Sequence, residues 1–120
     1  MQVFDSIKDL TKNKNTILTL GTFDGIHPGH LKIIDKLVDC SKEKGCRNVV
    51  ITFHPHPRKV LSSGNDVKML TTQEERRNLL EKHGVENFLT INFTKEFASL
   101  TAEEFIYDYL VNGIGISEIV

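Results

Sequence analysis

The amino-acid sequence predicts an α/β fold in which parallel strands form an open sheet with flanking helices. Short apolar runs alternate with helical patterns along the chain, which is the order typical of strands joined by helical crossovers. The length of 120 residues is enough for one domain and too short for two. Apolar residues make up 39% and charged residues 26%, which are ordinary proportions for a soluble globular protein.

The first half of the chain is predicted to contain a strand, a helix and a second strand. Thr16–Leu20 is rich in β-branched residues and is followed by a glycine, as strands often are. Residues 30–44 carry apolar side chains at helical spacing, and Gly45 is a natural helix stop. Residues 48–53 are apolar with little alternation, which is typical of a parallel strand covered on both faces.

A loop and a second helix are predicted to follow. Residues 54–68 contain two prolines and a Ser-Ser-Gly turn signal, and the helix after them is expected to end just before Gly84. Thr71 and Thr72 each have a glutamate three residues later, which is the spacing of a capping box at a helix start. We expect the charged run 74–77 on this helix to be a solvated face.

A third strand, another capped helix and a fourth strand complete the predicted order. Residues 85–93 form the strand, and Thr101 with Glu104 has the spacing of a capping box. The helix that they begin is predicted to end at the Asn-Gly pair 112–113. Residues 117–120 are typical of the start of a fourth strand. Because a doubly wound sheet normally continues past this point, we expect the fold to be truncated at its C-terminus.

Charge, hydropathy and cysteine content exclude several classes of protein. The formal net charge is -1, so we expect no nucleic-acid partner. No apolar run approaches the roughly 20 residues of a membrane helix, and the N-terminus lacks the apolar region of a signal peptide. Cys40 and Cys46 fit no common zinc-binding spacing and are expected to be reduced thiols. These features predict a cytoplasmic protein that does not interact with membranes.

The segment GTFDGIHPGH joins the first predicted strand to the first predicted helix. Ligands of open parallel sheets bind at the carboxyl ends of strands, and a helix N-terminus attracts phosphate. Gly21 and Gly25 permit tight turns, and Gly29 lets a ligand approach the backbone closely. His27 and His30 are three residues apart, so both imidazoles would lie on one side of the first helical turn. Such an arrangement suits a phosphoryl group whose charge grows in the transition state, which predicts phosphoryl or nucleotidyl transfer.

A second cluster, FHPHPR, follows the second predicted strand and therefore lies at the same edge of the sheet. Pro55 and Pro57 restrict the backbone, so that His56 is held without helical freedom. Arg58 adds a cationic donor suited to phosphate oxygens. The two clusters together predict one anion-binding edge.

These motifs resemble the adenylyltransferase module of bacterial bifunctional riboflavin kinase/FAD synthetases. The HPGH of residues 27–30 is similar to the HxGH signature of the nucleotidylyltransferase superfamily. The longer sequence GTFDGIHPGH, followed by TFHPHPRKV and by residues 70–110, resembles that FAD synthetase module, and the likeness extends from about Leu18 to Val120. Thr22 stands where the family more often has asparagine.

The resemblance implies a Rossmann-like nucleotidylyltransferase fold, ATP and FMN as substrates, FAD and pyrophosphate as products, and a requirement for Mg²⁺. It implies that His27 and His30 contact the ATP phosphates as catalytic residues and that Gly29 lies against the nucleotide. The remaining residues expected to bind ATP or the flavin phosphate are Gly21, Thr22, Phe23, Asp24, Gly25, Pro55, His56, Pro57 and Arg58.

The resemblance also implies that residues 1–120 are the N-terminal part of an FMN adenylyltransferase domain. A further phosphate-binding motif of Ser, Thr and Arg and a riboflavin kinase domain would be absent from this chain. We therefore expect activity to be reduced and self-association to occur through a truncated sheet edge.

Three alternatives stay open on sequence grounds. The first is an adenylyltransferase or cytidylyltransferase that uses another phosphate-bearing acceptor. The second is a nucleotide-binding fragment without turnover. The third is a metal-dependent hydrolase in which His27, His30, His54, His56 and Asp24 supply zinc ligands.

Overall fold

Five parallel strands form one open sheet in the spatial order β1-β4-β3-β2-β5. The computed structural model describes residues 1–21, 28–54 and 73–120. All four strand pairings are parallel, so the carboxyl ends of the strands lie at one edge. The strands are β1 Gln2–Phe4, β2 Thr16–Leu20, β3 Arg47–His54, β4 Asn87–Asn92 and β5 Glu118–Ile119.

Helices cover both faces of the sheet. They are α1 Pro28–Lys44, α2 Gln73–Lys82, the short α3 Lys95–Ala98, and α4 Ala102–Glu104, which continues as a π-helix over Phe105–Ile114; a 3-10 turn spans Ile7–Asp9. None of the helices within the described residues is long and apolar enough to cross a membrane.

Consecutive strand residues contribute to separate cores on the two faces. Ile17 packs with Leu37 of α1 and Leu80 of α2, whereas its neighbour Leu18 packs with Leu110 of the π-helix. All of these side chains are fully buried. The prediction that these strands are apolar because both faces are covered is therefore confirmed.

The predicted elements are confirmed with small changes in their bounds. The predicted first strand coincides with β2, and α1 begins two residues earlier than predicted, at a proline that suits the first helical turn. Gly45 and Gly84 have φ of 64° and 94°, as helix stops require. The capping boxes predicted at Thr71 and Thr72 lie outside the described residues. β1 is a strand that the sequence did not predict.

The predicted end of the last helix at 112–113 is wrong. Its capping box is confirmed, because Thr101 Oγ1 accepts from the Glu104 N–H at 3.1 Å and Glu104 Oε1 accepts from the Thr101 N–H at 3.0 Å. The winding then becomes π-helical, and the Gly115 N–H donates to the carbonyl of Leu110 at 2.8 Å. Gly115, with φ of 85°, is the residue that ends the helix.

Asn48, at the start of β3, connects four elements at the amino edge of the sheet. Its Nδ2 donates to Ser41 Oγ of α1 at 3.2 Å and to the Gly84 carbonyl at 3.4 Å. Its Oδ1 accepts from the Glu86 N–H at 2.7 Å, and its main-chain carbonyl accepts from Asn87 Nδ2 at 3.0 Å. The side chain is fully buried, so each of these bonds compensates a group that has lost water.

Replacement of this buried amide should lower the stability of the protein. Asn48→Ala leaves the Glu86 N–H and the Ser41 hydroxyl without this partner, and each such group costs about 1–3 kcal/mol. We expect the free energy of unfolding to fall by about 2–4 kcal/mol. Asn78→Ala, at an exposed position of α2, is the matched control. Urea denaturation followed by circular dichroism measures both, and equal midpoints for the two variants would contradict this role of Asn48.

Candidate functional site

Both segments that the sequence singles out begin at the carboxyl edge of the sheet. In the strand register, Leu20 is paired with Ile51, and His54 with Asn92. Gly21 extends the pairing of β2 with β3, since its N–H donates to the Ile51 carbonyl at 3.0 Å. The chain therefore leaves β2 and β3 at the same edge, toward α1 and α2 respectively.

Most of the predicted site residues lie outside the part of the chain that the structure describes. This holds for Thr22, Phe23, Asp24, Gly25 and His27 in the first segment and for Pro55, His56, Pro57 and Arg58 in the second. The described members are Gly21, Gly29 and His30.

The N-terminus of α1 lies at the carboxyl edge. The helix has 17 residues, a length of about 25 Å. Its other end is at the amino edge, where the Arg47 N–H after it donates to the Asn15 carbonyl at 3.0 Å. Gly29 is exposed and His30 is half-buried in the first turn, which carries no acidic side chain. The positive end of the helix dipole is therefore not neutralised by a carboxylate of the helix itself.

One cation near this edge is placed differently from the prediction. Arg76, expected on a solvated face, is only 1% exposed, and its Nη1 donates to Thr52 Oγ1 at 3.4 Å. Glu74 and Glu75 are exposed as expected. Arg76 is buried because it lies four residues before the fully buried Leu80, on the stripe of α2 that faces the sheet. That spacing was the signal in the sequence that could have revealed it.

An aromatic cluster extends the carboxyl edge on the opposite face of the sheet. Phe53 of β3 lies 5.6 Å from Phe93, and Phe97 lies 5.5 Å from both Phe105 and Tyr109, measured between ring centroids. The T-shaped geometry of these three pairs is a favourable one for aromatic rings. All five rings are half-buried, so the cluster is accessible to a ligand.

A cleft of about 620 Å³ opens beside these rings, at the carboxyl ends of β1 and β4. Its volume is within the range of small-molecule sites. It is separate from the N-terminus of α1, because Ile7, Ile91 and Phe97 in its wall belong to the core on the other face. The wall is completed by polar and apolar residues: Asp5, Ser6, Lys8, Asn92, Thr94, Glu96, Leu100, Asp108 and Tyr109.

Metal ligands do not cluster in the described part of the chain. Within residues 1–21, 28–54 and 73–120, no three His, Cys, Asp or Glu side chains lie together so as to hold a metal ion. His30 and His54 are the described members of the zinc set considered from the sequence; Asp24, His27 and His56 lie outside.

Comparisons with known proteins identify relatives over nearly the whole chain. A family model described as FAD synthetase matches residues 9–120. The bifunctional riboflavin kinase/FMN adenylyltransferase of Buchnera aphidicola subsp. Schizaphis graminum is 33% identical over 121 residues, covering 100% of this chain and 39% of that protein. The protein of that name from Bacillus subtilis (strain 168) is 38% identical over 97 residues, covering 80% of this chain and 31% of the relative. The chain thus spans less than half the length of the curated relatives it matches.

Solved structures share the fold. A crystal structure described as a macrolide-efflux protein from Streptococcus pneumoniae superimposes with a TM-score of 0.85 at 28% identity, covering 98% of this chain and 46% of that one. Pantothenate synthetase from Thermus thermophilus gives a TM-score of 0.54 at 18% identity, covering 76% of this chain and 32% of that one. The likeness to pantothenate synthetase shows the fold alone. The efflux activity is part of the name of the pneumococcal protein.

Proposed function

Because the chain belongs to the FAD synthetase family, we propose that its carboxyl edge binds ATP and FMN and transfers AMP from ATP to FMN. The products are FAD and pyrophosphate. The observation that carries the proposal is the family match over residues 9–120, on a fold in which the longest of the described helices points its N-terminus at this edge. We propose further that residues 1–120 are part of the adenylyltransferase domain. In the relatives, we propose that riboflavin is phosphorylated by a region outside the one that this chain matches.

The ATP phosphates are proposed to lie at the start of α1. His30 in the first turn and the backbone N–H groups of that turn supply positive charge and hydrogen-bond donors. The exposed Gly29 has no side chain to hold a phosphate away from the backbone. His27 is proposed as the second imidazole of the site. Gly21, Thr22, Phe23, Asp24 and Gly25 complete the proposed nucleotide loop.

The proposed reaction is an in-line substitution at phosphorus. An oxygen of the FMN phosphate attacks the α-phosphorus of ATP and forms a new P–O bond. The bond from the α-phosphorus to the bridging oxygen breaks, and pyrophosphate leaves with that oxygen. Negative charge grows on oxygens near the start of α1, where His30 and the N–H groups stabilise it more in the transition state than in the ground state. The protein needs no covalent nucleophile for such a transfer.

Magnesium is proposed to arrive with the nucleotide. Mg²⁺ keeps several waters and commonly binds through substrate phosphates and one or two carboxylates. The described residues fit this mode better than a dedicated protein site, because they hold no cluster of metal ligands. When bound, the ion would neutralise part of the triphosphate charge.

The flavin ring is proposed to occupy the cleft beside Phe97 and Tyr109. A planar aromatic ligand gains apolar contact and ring–ring interactions there. The cleft is at the end of β4, and the start of α1 follows β2. The ends of these two strands are about 10 Å apart within the sheet, and the cleft and α1 lie on its opposite faces. The ribityl chain would cross this distance over the end of β3, where Pro55, His56, Pro57 and Arg58 are proposed to hold the flavin phosphate.

Weak self-association is also proposed. The open sheet has two edge strands, β1 and β5, and the side chains of Val3 and Ile119 on them are 42% and 43% exposed. An unpaired edge can pair with the edge of another chain. Multi-angle light scattering over a concentration series should show a mass that rises with concentration, and a constant monomer mass would contradict the proposal.

The activity is tested by incubating the chain with ATP, FMN and Mg²⁺ and measuring FAD by chromatography. The relative from Bacillus subtilis serves as a positive control. His30→Ala should lower the rate of FAD formation by about 10²–10³-fold, which is typical for loss of one group that stabilises transition-state charge. His83→Ala is the matched control, because His83 is half-buried near the C-terminal end of α2 and pairs with Asp35 at 3.2 Å.

The outcomes separate the alternatives. Equal rates for His30→Ala and the unmodified chain would contradict the role of His30. Binding of ATP and FMN without FAD formation would favour a nucleotide-binding function without turnover. Failure to bind either substrate would contradict the proposed function.

The placement of the flavin is tested by Phe97→Ala. Loss of its ring contacts, about 0.5–1.5 kcal/mol for an aromatic pair, should weaken FMN binding about two- to thirteenfold. ATP binding should not change, because the ring is on the face opposite α1. Tyr107→Ala removes an aromatic side chain that is 63% exposed and does not line the cleft, and it is the control. Quenching of flavin fluorescence measures the Kd, and an unchanged Kd for FMN would place the flavin elsewhere.

A further inference from the structure

Both cysteines of the protein lie near the C-terminus of α1, at the amino edge of the sheet. Cys40 is in the last part of the helix, and Cys46 is two residues past its end. Both are free thiols and half-buried, so solvent reaches them. Both also pack against the buried cluster that contains Leu37 and Val38. They are accessible soft ligands to which the proposed reaction gives no part.

The way in which α1 ends brings the two thiols together. The chain reverses at Gly45, the Cys46 N–H donates to the Ser41 carbonyl at 2.9 Å, and the Gly45 N–H donates to the Lys42 carbonyl at 3.4 Å. These two bonds define a Schellman motif. In that motif the second residue after the helix commonly contacts the side chain five or six positions earlier. Ser41, five positions before Cys46, is fully buried, so the half-buried neighbour of Cys46 is Cys40.

Lys44 places a positive charge beside both thiols. Its Nζ donates to Glu118 Oε2 at 2.7 Å. This hydrogen bond and the charge of Glu118 raise the pKa of Lys44, and the charges of the Cys40 and Cys46 thiolates raise it further. Coupling of this kind requires both sulfur atoms to lie near the same ammonium group. The Cys46 thiol also donates to the Lys44 carbonyl at 3.7 Å. The two thiols thus share one neighbouring cation.

The number and the type of these ligands select the class of metal that they suit. Thiolate sulfur is a soft ligand that favours Cu(I). A structural zinc ion needs four ligands in tetrahedral geometry, whereas Cu(I) is satisfied by two sulfur atoms in a linear arrangement. No third His, Cys, Asp or Glu joins the two thiols within the part of the chain that the structure describes. The pair therefore suits a soft ion of low coordination number.

We infer that Cys40 and Cys46 form a binding site for the soft monovalent metal ion Cu(I). On binding, each thiol releases its proton and each sulfur atom forms one bond to the ion, which keeps its oxidation state. One positive ion and two thiolates give a complex with one negative charge, and the ammonium group of Lys44 compensates that charge. The site is at the amino edge, away from the edge proposed to bind the nucleotide, so the inference does not depend on the proposed function.

Anaerobic titration of the full chain with Cu(I), in competition with the chelator bicinchoninate, tests the inference. The unmodified chain should bind one ion per chain. Cys40→Ala and Cys46→Ser each leave one thiol and should weaken binding at least about a hundredfold, because two linked ligands gain about 10²–10⁴ in affinity over one. The matched control combines Cys46→Ser with Ser99→Cys, which moves one thiol to an exposed position after α3 and keeps the composition unchanged. It should bind Cu(I) as weakly as Cys46→Ser.

Several outcomes would overturn the inference. These are no Cu(I) uptake by the unmodified chain, an equal affinity for the control with the displaced thiol, and binding of Zn²⁺ as tight as that of Cu(I).

Phenylarsine oxide tests the thiol pair without any substitution and decides if circular dichroism shows that the variants do not fold. Its arsenic atom bonds to two neighbouring thiols at once and releases one water. Mass spectrometry of the unmodified chain should show one arsenical per chain, with no thiol left to react with iodoacetamide. An unchanged mass with two reactive thiols would show that Cys40 and Cys46 do not form a pair.

Discussion

The positions of α1 and α2 relative to the sheet depend on the buried amide of Asn48. It connects the C-terminal part of α1 through Ser41 and the loop after α2 through Gly84 and Glu86. On the other face Arg47 has a comparable part, since its Nε donates to Thr16 Oγ1 at 2.7 Å and its Nη2 to the Ile114 carbonyl at 3.3 Å. Burial lowers the pKa of the Arg47 guanidinium. Two adjacent residues thus fix the helical layers on both faces.

These contacts lie at the amino edge, yet they determine geometry at the opposite edge. A helix is rigid over three or four turns, so fixing its C-terminal end also fixes the direction of its N-terminal end. The fully buried residues Ile34, Leu37 and Leu80 prevent the helices from sliding on the strands. His30 and Arg76 are therefore brought to the carboxyl edge by packing that contains no functional group. Because the packing residues lie away from the carboxyl edge, the residues at that edge can be suited to chemistry without disturbing the packing.

Elements with a periodic or local sequence pattern are predicted from the sequence, whereas features that depend on a tertiary contact are missed. β2, β3 and β4 are apolar runs, and Gly45 and Gly84 are stop signals that need no tertiary information. β1 has three residues, too few for a pattern, and exists because β4 offers a free edge to Gln2–Phe4. The spacing of apolar residues cannot distinguish α-helical from π-helical winding, so it predicts a helix end before Gly115, the residue that ends the helix in the structure. The charge of Arg76 predicts a solvated position, whereas its spacing four residues before Leu80 is that of a buried one.

The site is less predictable than the fold for a related reason. Glycines and histidines in the first segment predict an anion site because a helix N-terminus follows a strand, which is local information. The acceptor side that we propose depends on Phe53, Phe93, Phe97 and Tyr109, which converge from separate elements, and no local pattern contains that convergence. The aromatic cluster and the start of α1 lie on opposite faces of the sheet. Under the proposed function the acceptor phosphate must cross β3 toward α1, which makes the end of β3 the point at which the two halves of the proposed site would meet.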